Sequence, residues 1–230
     1  MKIKPGLMVS RKFFTRLAGL MAPMACIFAS AKEPGNTTLS TNSSSDVTGP
    51  VTRWSLELGS GATFSNVRDR TLDNYTLVPI ELTLSRTFEH EFLTDSFNGA
   101  LKGRFEASLG GYYSVVATGV EHYIAGYHVG TRYDFTGMSR RLVPFLGCKV
   151  GMGWADAHQY MAGGNLHGLG QDFNFNFEVL AGLEYSMTPR TFMRLTAVYS
   201  HFSNAGLSEP EKSNKAIDAL GPMFGVGWRF

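Results

Sequence analysis

The chain has 230 residues with 21 Lys plus Arg against 19 Asp plus Glu. That near-balance excludes the strongly basic surface a nucleic-acid partner needs. Its two cysteines, Cys26 and Cys148, are too few for a disulfide scaffold or a cysteine-rich metal site.

Lys2, Lys4, Arg11, Lys12 and Arg16 precede LAGLMAPMACIFASA, an apolar run that ends in the small-x-small pattern Ala29-Ser30-Ala31. Residues 1–31 read as a secretory signal cleaved after Ala31; the run is too short for a membrane helix and is interrupted by Pro23. Pro-Met-Ala-Cys around Cys26 is a poor match to a lipoprotein signal. Cleavage removes five basic groups and no acidic one, so acidic groups outnumber basic ones afterwards and Cys148 stands alone. Residues 32–50, KEPGNTTLSTNSSSDVTGP, lack the apolar content that would repay ordering them and read as a flexible polar leader.

From 51 to 230 the apolar residues recur with a period of two. Trp54, Leu56 and Leu58 alternate with Arg53, Ser55 and Glu57, and Ile80, Leu82 and Leu84 with Glu81, Thr83 and Ser85. The pattern is clearest at Phe173-Asn174-Phe175-Asn176-Phe177-Glu178-Val179 and again along Met193, Leu195, Ala197 and Tyr199. Strands are predicted over 52–64, 74–87, 101–116, 121–135, 139–154, 171–187, 190–203 and 217–230. Several exceed the usual soluble strand of about 5 or 6 residues, whereas about 9 to 11 tilted residues cross a bilayer. Export plus long alternating strands predicts an all-β, eight-stranded antiparallel transmembrane β-barrel of the outer membrane, closed because lipid tolerates no unpaired sheet edge. A soluble lipocalin-like barrel is the competing fold, with its apolar face turned inward.

The connections agree with a barrel. Phe135-Thr136-Gly137-Met138 and Met187-Thr188-Pro189-Arg190 read as tight turns, which in such barrels face the periplasm. The external loops would then be 65–73, 117–120, 155–170 and 204–216; the 88–100 connection is long for a periplasmic turn. The closing strand, Gly225-Val226-Gly227-Trp228-Arg229-Phe230, ends on an aromatic, as outer-membrane proteins do. Arg53, Glu57, Glu81, Glu178, Glu184 and Arg194 are expected to face inward as a polar filling, which leaves no pore. His90, His122, His128, His158 and His167 show no zinc-ligand spacing, and Gly163-Gly164 matches no phosphate loop. Arg68 and Arg70, in the first external loop, are candidates for contact with lipid phosphates.

The odd row of the seventh strand ends in His201 and Ser203, two polar residues on a face its neighbours make apolar. A histidine and a hydroxyl two apart on one strand face have the spacing at which an imidazole takes a proton from a nucleophilic serine. The string HFSNAGL, His201 to Leu207, with Pro210 and then Asn214-Lys215-Ala216-Ile217-Asp218, resembles the outer-membrane lipid A 3-O-deacylase family, the PagL-like acyloxyacyl hydrolases. The match covers roughly 190–230, with the eight-strand layout matching more loosely.

The resemblance implies hydrolysis of the ester-linked 3-hydroxyacyl chain at the 3 position of lipid A, without metal or other cofactor, by a membrane-embedded enzyme whose partner is outer-leaflet lipopolysaccharide. It implies His201 as general base, Ser203 as nucleophile and Asn204 as an oxyanion-hole donor. Asp218 would orient the imidazole, although Ala216 stands where the family has glycine and the preceding loop is longer; Glu209 and Glu211 are alternatives for that role. A small barrel with a structural, binding or adhesive role and no turnover is the other functional class. Monomer and homodimer both remain open.

Overall fold

A computed structural model describes residues 54–65, 75–139, 141–157, 169, 171–207 and 216–230. The predicted signal (1–31), the leader (32–50), Arg53, Arg68, Arg70, His158, His167, Gly163-Gly164, Glu209 and Glu211 lie outside the described residues. Those that are described fall within one unit, Val47–Phe230.

Among the described residues nine antiparallel strands form the sheet: β1 (Trp54–Gly61), β2 (Thr63–Ser65), β3 (Thr76–Phe92), β4 (Gly103–Thr118), β5 (Tyr123–Phe135), β6 (Leu142–Ala155), β7 (Phe173–Ser186), β8 (Thr191–Ser203) and β9 (Ile217–Arg229). Each strand from β3 to β9 pairs with the next, and β1 and β2 both pair with β3 on one side and β9 on the other, which closes the sheet into a ring. The break at Ala62 has a local cause. Register places Ala62 against Pro222, and Gly61 against Pro79. Neither proline has an N–H to donate, so the ladder is thinned on both sides of one short stretch. Ala62 N–H still donates to the Pro222 carbonyl at 3.1 Å.

The 88–100 connection is shorter than predicted, because β3 continues to Phe92 and β4 begins at Gly103. Similarly, β4 reaches Thr118, and His122 precedes β5 rather than lying in it.

Burial alternates along the strands, and its sense is the reverse of a lipocalin's. Leu58, Leu82, Leu109, Leu146, Leu195 and Phe224 point outward and are exposed, while Glu81, Glu106, Arg132, Lys149, Glu178, Glu184 and Arg194 are buried inside. Glu57, Glu81, Glu178, Glu184 and Arg194 thus lie inside as the alternation anticipates; Glu106, Arg132, Asp134, Lys149 and Arg229 join them.

The interior is layered. At the end that holds Trp54 and Phe230, Glu184 accepts hydrogen bonds from Arg132 at 2.9 Å, from Arg194 at 2.8 Å and from Arg229. Arg194 also pairs with Glu57, and Arg132 with Glu106 at 3.1 Å. Midway, Lys149 pairs with Glu81, which His128 Nε2 approaches to 3.1 Å. At the opposite end an apolar cluster takes over, including Tyr75, Leu77, Ile124, Leu169, Phe202 and Ile217. Among the described residues the charged layers line a cavity of about 60 Å³. That is room for a few water molecules and none for a lipid.

Candidate functional site

His201 and Ser203 lie at the end of β8 that meets the apolar cluster, and both belong to the outward row. The β8–β9 register sets His201 directly opposite Asp218. His201 Nδ1 is 2.6 Å from Asp218 Oδ1, and the Tyr199 hydroxyl donates to the same oxygen at 2.6 Å. Asp218 is only 1 % exposed although it sits on the outward row, because its neighbours on β8 cover it. A carboxylate removed from water at this cost needs such donors. A proton on Nδ1, shared with Asp218, leaves Nε2 as the acceptor of the ring.

Beyond β8 the chain turns sharply. Leu207 N–H donates to the Asn204 carbonyl at 3.1 Å, and the two central residues, Ala205 and Gly206, both have positive φ, 55° and 77°. Glycine accepts that conformation freely, whereas for alanine it costs on the order of 1–2 kcal/mol, so surrounding contacts must hold it. Two hydrogen bonds do. Ala205 N–H donates to Ser203 Oγ at 3.1 Å, and Gly206 N–H donates to Asn204 Oδ1 at 3.0 Å.

The structure therefore brings His201 and Asp218 into a hydrogen bond, while no hydrogen bond joins Ser203 Oγ to the imidazole. Such contacts are commonly long before substrate binds. Asn204 is fully buried and its Nδ2 donates to the Leu169 carbonyl at 3.3 Å. Sequence reasoning passed over Tyr199, although it shares the odd row with His201 and stands two residues before it, near enough to reach the same carboxylate.

Two other clusters hold site-like residue types. Glu81, His128 and Glu178 have ligand atoms within 4.8 Å of one another, as a metal site requires. The Lys149 ammonium lies on Glu81 and 3.6 Å from Glu178, filling the place of the cation. The second cluster, His122 and Asp156, clasps two loops through an Nδ1–Oδ2 contact of 2.7 Å. Burial alone would raise the Asp156 pKa, but the His122 ring and the backbone N–H groups of His122 and Tyr123 hold it below the ordinary aspartate value. A depressed pKa means the clasp contributes at neutral pH and is lost as pH falls through the carboxylate range.

A family model described as lipid A 3-O-deacylase (PagL) matches residues 81–227, from β3 to β9, including His201, Ser203, Asn204 and Asp218. The chain belongs to the lipid A 3-O-deacylase (PagL) family. With that family it is an outer-membrane protein of Gram-negative bacteria and, in general terms, a lipid A-modifying, membrane-embedded enzyme. Among solved structures, the outer-membrane enzyme PagL is similar at 19 % identity and a TM-score of 0.49, covering 74 % of this chain and 97 % of that one. Neisserial surface protein A is similar at 14 % identity and a TM-score of 0.41, covering 77 % and 96 %. Outer membrane protein W of E. coli is similar at 12 % and 0.38, covering 78 % and 98 %. Comparison with curated proteins finds no match.

Proposed function

We propose that this PagL-family chain is a serine esterase that removes the ester-linked 3-hydroxyacyl chain from the 3 position of lipid A, and that its ring is an eight-stranded transmembrane barrel. In that reading β1 and β2 are one interrupted strand, since they share the same two neighbours. The apolar outward face meets lipid, and the charges stay inside. The observation that carries the chemistry is the His201–Asp218 hydrogen bond across β8 and β9, with Ser203 two residues further along the same outward row.

In the mechanism, Asp218 holds the imidazole so that Nε2 faces the serine. As Ser203 Oγ attacks the ester carbonyl, its proton passes to Nε2. Ala205 N–H, already 3.1 Å from Oγ, stands beside the carbon under attack and donates to the developing oxyanion, while Asn204, expected as a donor there, is buried with its Nδ2 on the Leu169 carbonyl and fixes the turn that carries Ala205. The tetrahedral adduct collapses by expelling the lipid A 3-oxygen, which takes the proton from His201. Water then attacks the acyl-serine, giving its proton to Nε2, and the fatty acid leaves as Oγ is reprotonated.

Substrate approaches from the membrane side. The interior offers too little space, and register sets Phe175 opposite Ser203 and Phe177 opposite His201 on the outward face, an apolar surface for an acyl chain. The test is mass spectrometry of lipid A incubated with the refolded protein in detergent. Loss of one 3-hydroxyacyl mass is expected. No mass change across several lipid A forms, with the protein folded, would leave a small barrel that binds or supports without turnover.

A further inference from the structure

Among the described residues the buried carboxylates pair with Lys, Arg or His side chains or belong to the candidate site, except Glu121. It is 2 % exposed, in the loop between β4 and β5. A carboxylate so placed persists only when its oxygens accept hydrogen bonds. Glu121 Oε2 accepts from the Tyr75 hydroxyl at 2.5 Å, and Oε1 accepts from Leu169 N–H at 2.7 Å. Tyr75 is held in turn, its N–H donating to Ser65 Oγ at 2.8 Å and its hydroxyl accepting from Val120 N–H at 3.3 Å. Its ring also packs against Gly119, where φ is 146° and an added Cβ would lie 2.6 Å from the ring. Only glycine allows that approach.

The path leads to the candidate site. The Leu169 carbonyl accepts from Asn204 Nδ2, and Asn204 Oδ1 accepts from Gly206 N–H, so the Asn204 amide is locked in one orientation from both ends. That amide braces the turn whose Ala205 N–H meets Ser203 Oγ. Tyr75, Glu121, Leu169 and Asn204 are all at most 3 % exposed, so water cannot substitute for a missing partner.

We propose that Glu121, held by Tyr75, is a positioning residue for the esterase: acting through Leu169 and Asn204, it holds the 204–207 turn against the nucleophile. The proposal rests on Ser203 being that nucleophile. Glu121 touches no substrate and takes no proton. Removing it leaves Leu169 N–H and the Tyr75 hydroxyl without their acceptor and releases the Leu169 carbonyl from its place. The strained Ala205 backbone then relaxes, and its N–H leaves the oxyanion position.

The test measures deacylation kinetics of refolded Glu121→Ala, Glu121→Gln and Tyr75→Phe in detergent, with heat-resistant migration and the NMR shift of the Asn204 side-chain amide recorded alongside. Glu121→Ala is expected to lower kcat about 10- to 100-fold with KM within about threefold of wild type, since a small misplacement costs rate more than binding. Glu121→Gln keeps an acceptor for Leu169 N–H and is expected to recover kcat to within about threefold. The Asn204 amide shift should move in the alanine variant and return in the glutamine variant. Wild-type kcat with an unmoved amide in Glu121→Ala overturns the proposal. Should that variant fail to fold, Tyr75→Phe carries the test, with about a 10-fold fall in kcat expected and no fall overturning it. A folded wild type that deacylates nothing overturns the esterase reading itself, and this inference with it.

Discussion

Replacing Ser203 with alanine is expected to lower kcat for lipid A deacylation by about 10⁵- to 10⁶-fold, with His201→Ala costing nearly as much and the double variant no more than either. The three groups act as a unit, so removing one leaves the others without a function. Asp218→Asn is expected to cost about 10³- to 10⁴-fold, because an amide in that place stabilises the wrong imidazole tautomer and cannot balance the imidazolium that forms. Heat-resistant migration should survive the Ser203 and His201 changes, since both side chains lie on the outer row at the rim and are only partly buried. Asp218 is different, because burial and the Tyr199 hydroxyl bind it into the wall. Kinetics of the four variants in one detergent, each checked for migration, measure this. Wild-type rates in Ser203→Ala would remove the serine from the mechanism.

Glu184→Ala is expected to be the most destabilising single change in the ring, at about 3–5 kcal/mol, because it leaves buried cations without their shared partner. Arg132, Arg194 and Arg229 all direct donors at this carboxylate. Arg132 retains Glu106 at 3.1 Å and Asp134 at 2.9 Å, and Arg194 retains Glu57 and, at 3.4 Å, Glu106, whereas Arg229 loses its carboxylate partner. Phe192 adds to the arrangement, with Arg194 4.5 Å and Arg229 4.6 Å from its ring centre. Unfolding in urea, followed by loss of heat-resistant migration, measures the effect. A shift worth less than about 1 kcal/mol would mean that the interior network relaxes around the missing carboxylate or admits water to its arginines.

Much of this fold is legible as alternation, because a period of two states which side of a strand is wet. Leu195 and Arg194, or Phe177 and Glu178, are assigned to opposite faces by their order alone. What escapes is whatever depends on closure. Pro79 and Pro222 are far apart in the chain, and only the ring brings them to the two sides of the gap between β1 and β2, where together they thin the ladder. In β4 to β6, Gly110, Gly126 and Gly147 dilute the inward row, so Glu106, Arg132 and Lys149 do not stand out as an inward set.

The site divides in the same way. His201, Ser203 and Asn204 are adjacent, and their string carries the family resemblance by itself. Asp218 competes with Glu209 and Glu211 until register is known, since the loop between β8 and β9 conceals which acid returns to face His201. Glu121 lies beyond any motif. Its link to Asn204 runs through the peptide groups of Leu169, and a sequence does not display backbone acceptors.

The central claim, that Ser203 is a nucleophile activated by His201 and Asp218, is tested most directly by treating the refolded protein with a long-chain fluorophosphonate and locating the adduct by peptide mass spectrometry. The predicted result is one phosphonyl group on Ser203, none in Ser203→Ala, and labelling slowed by orders of magnitude in His201→Ala. A folded wild type that stays unlabelled at Ser203 while still releasing fatty acid from lipid A would contradict it.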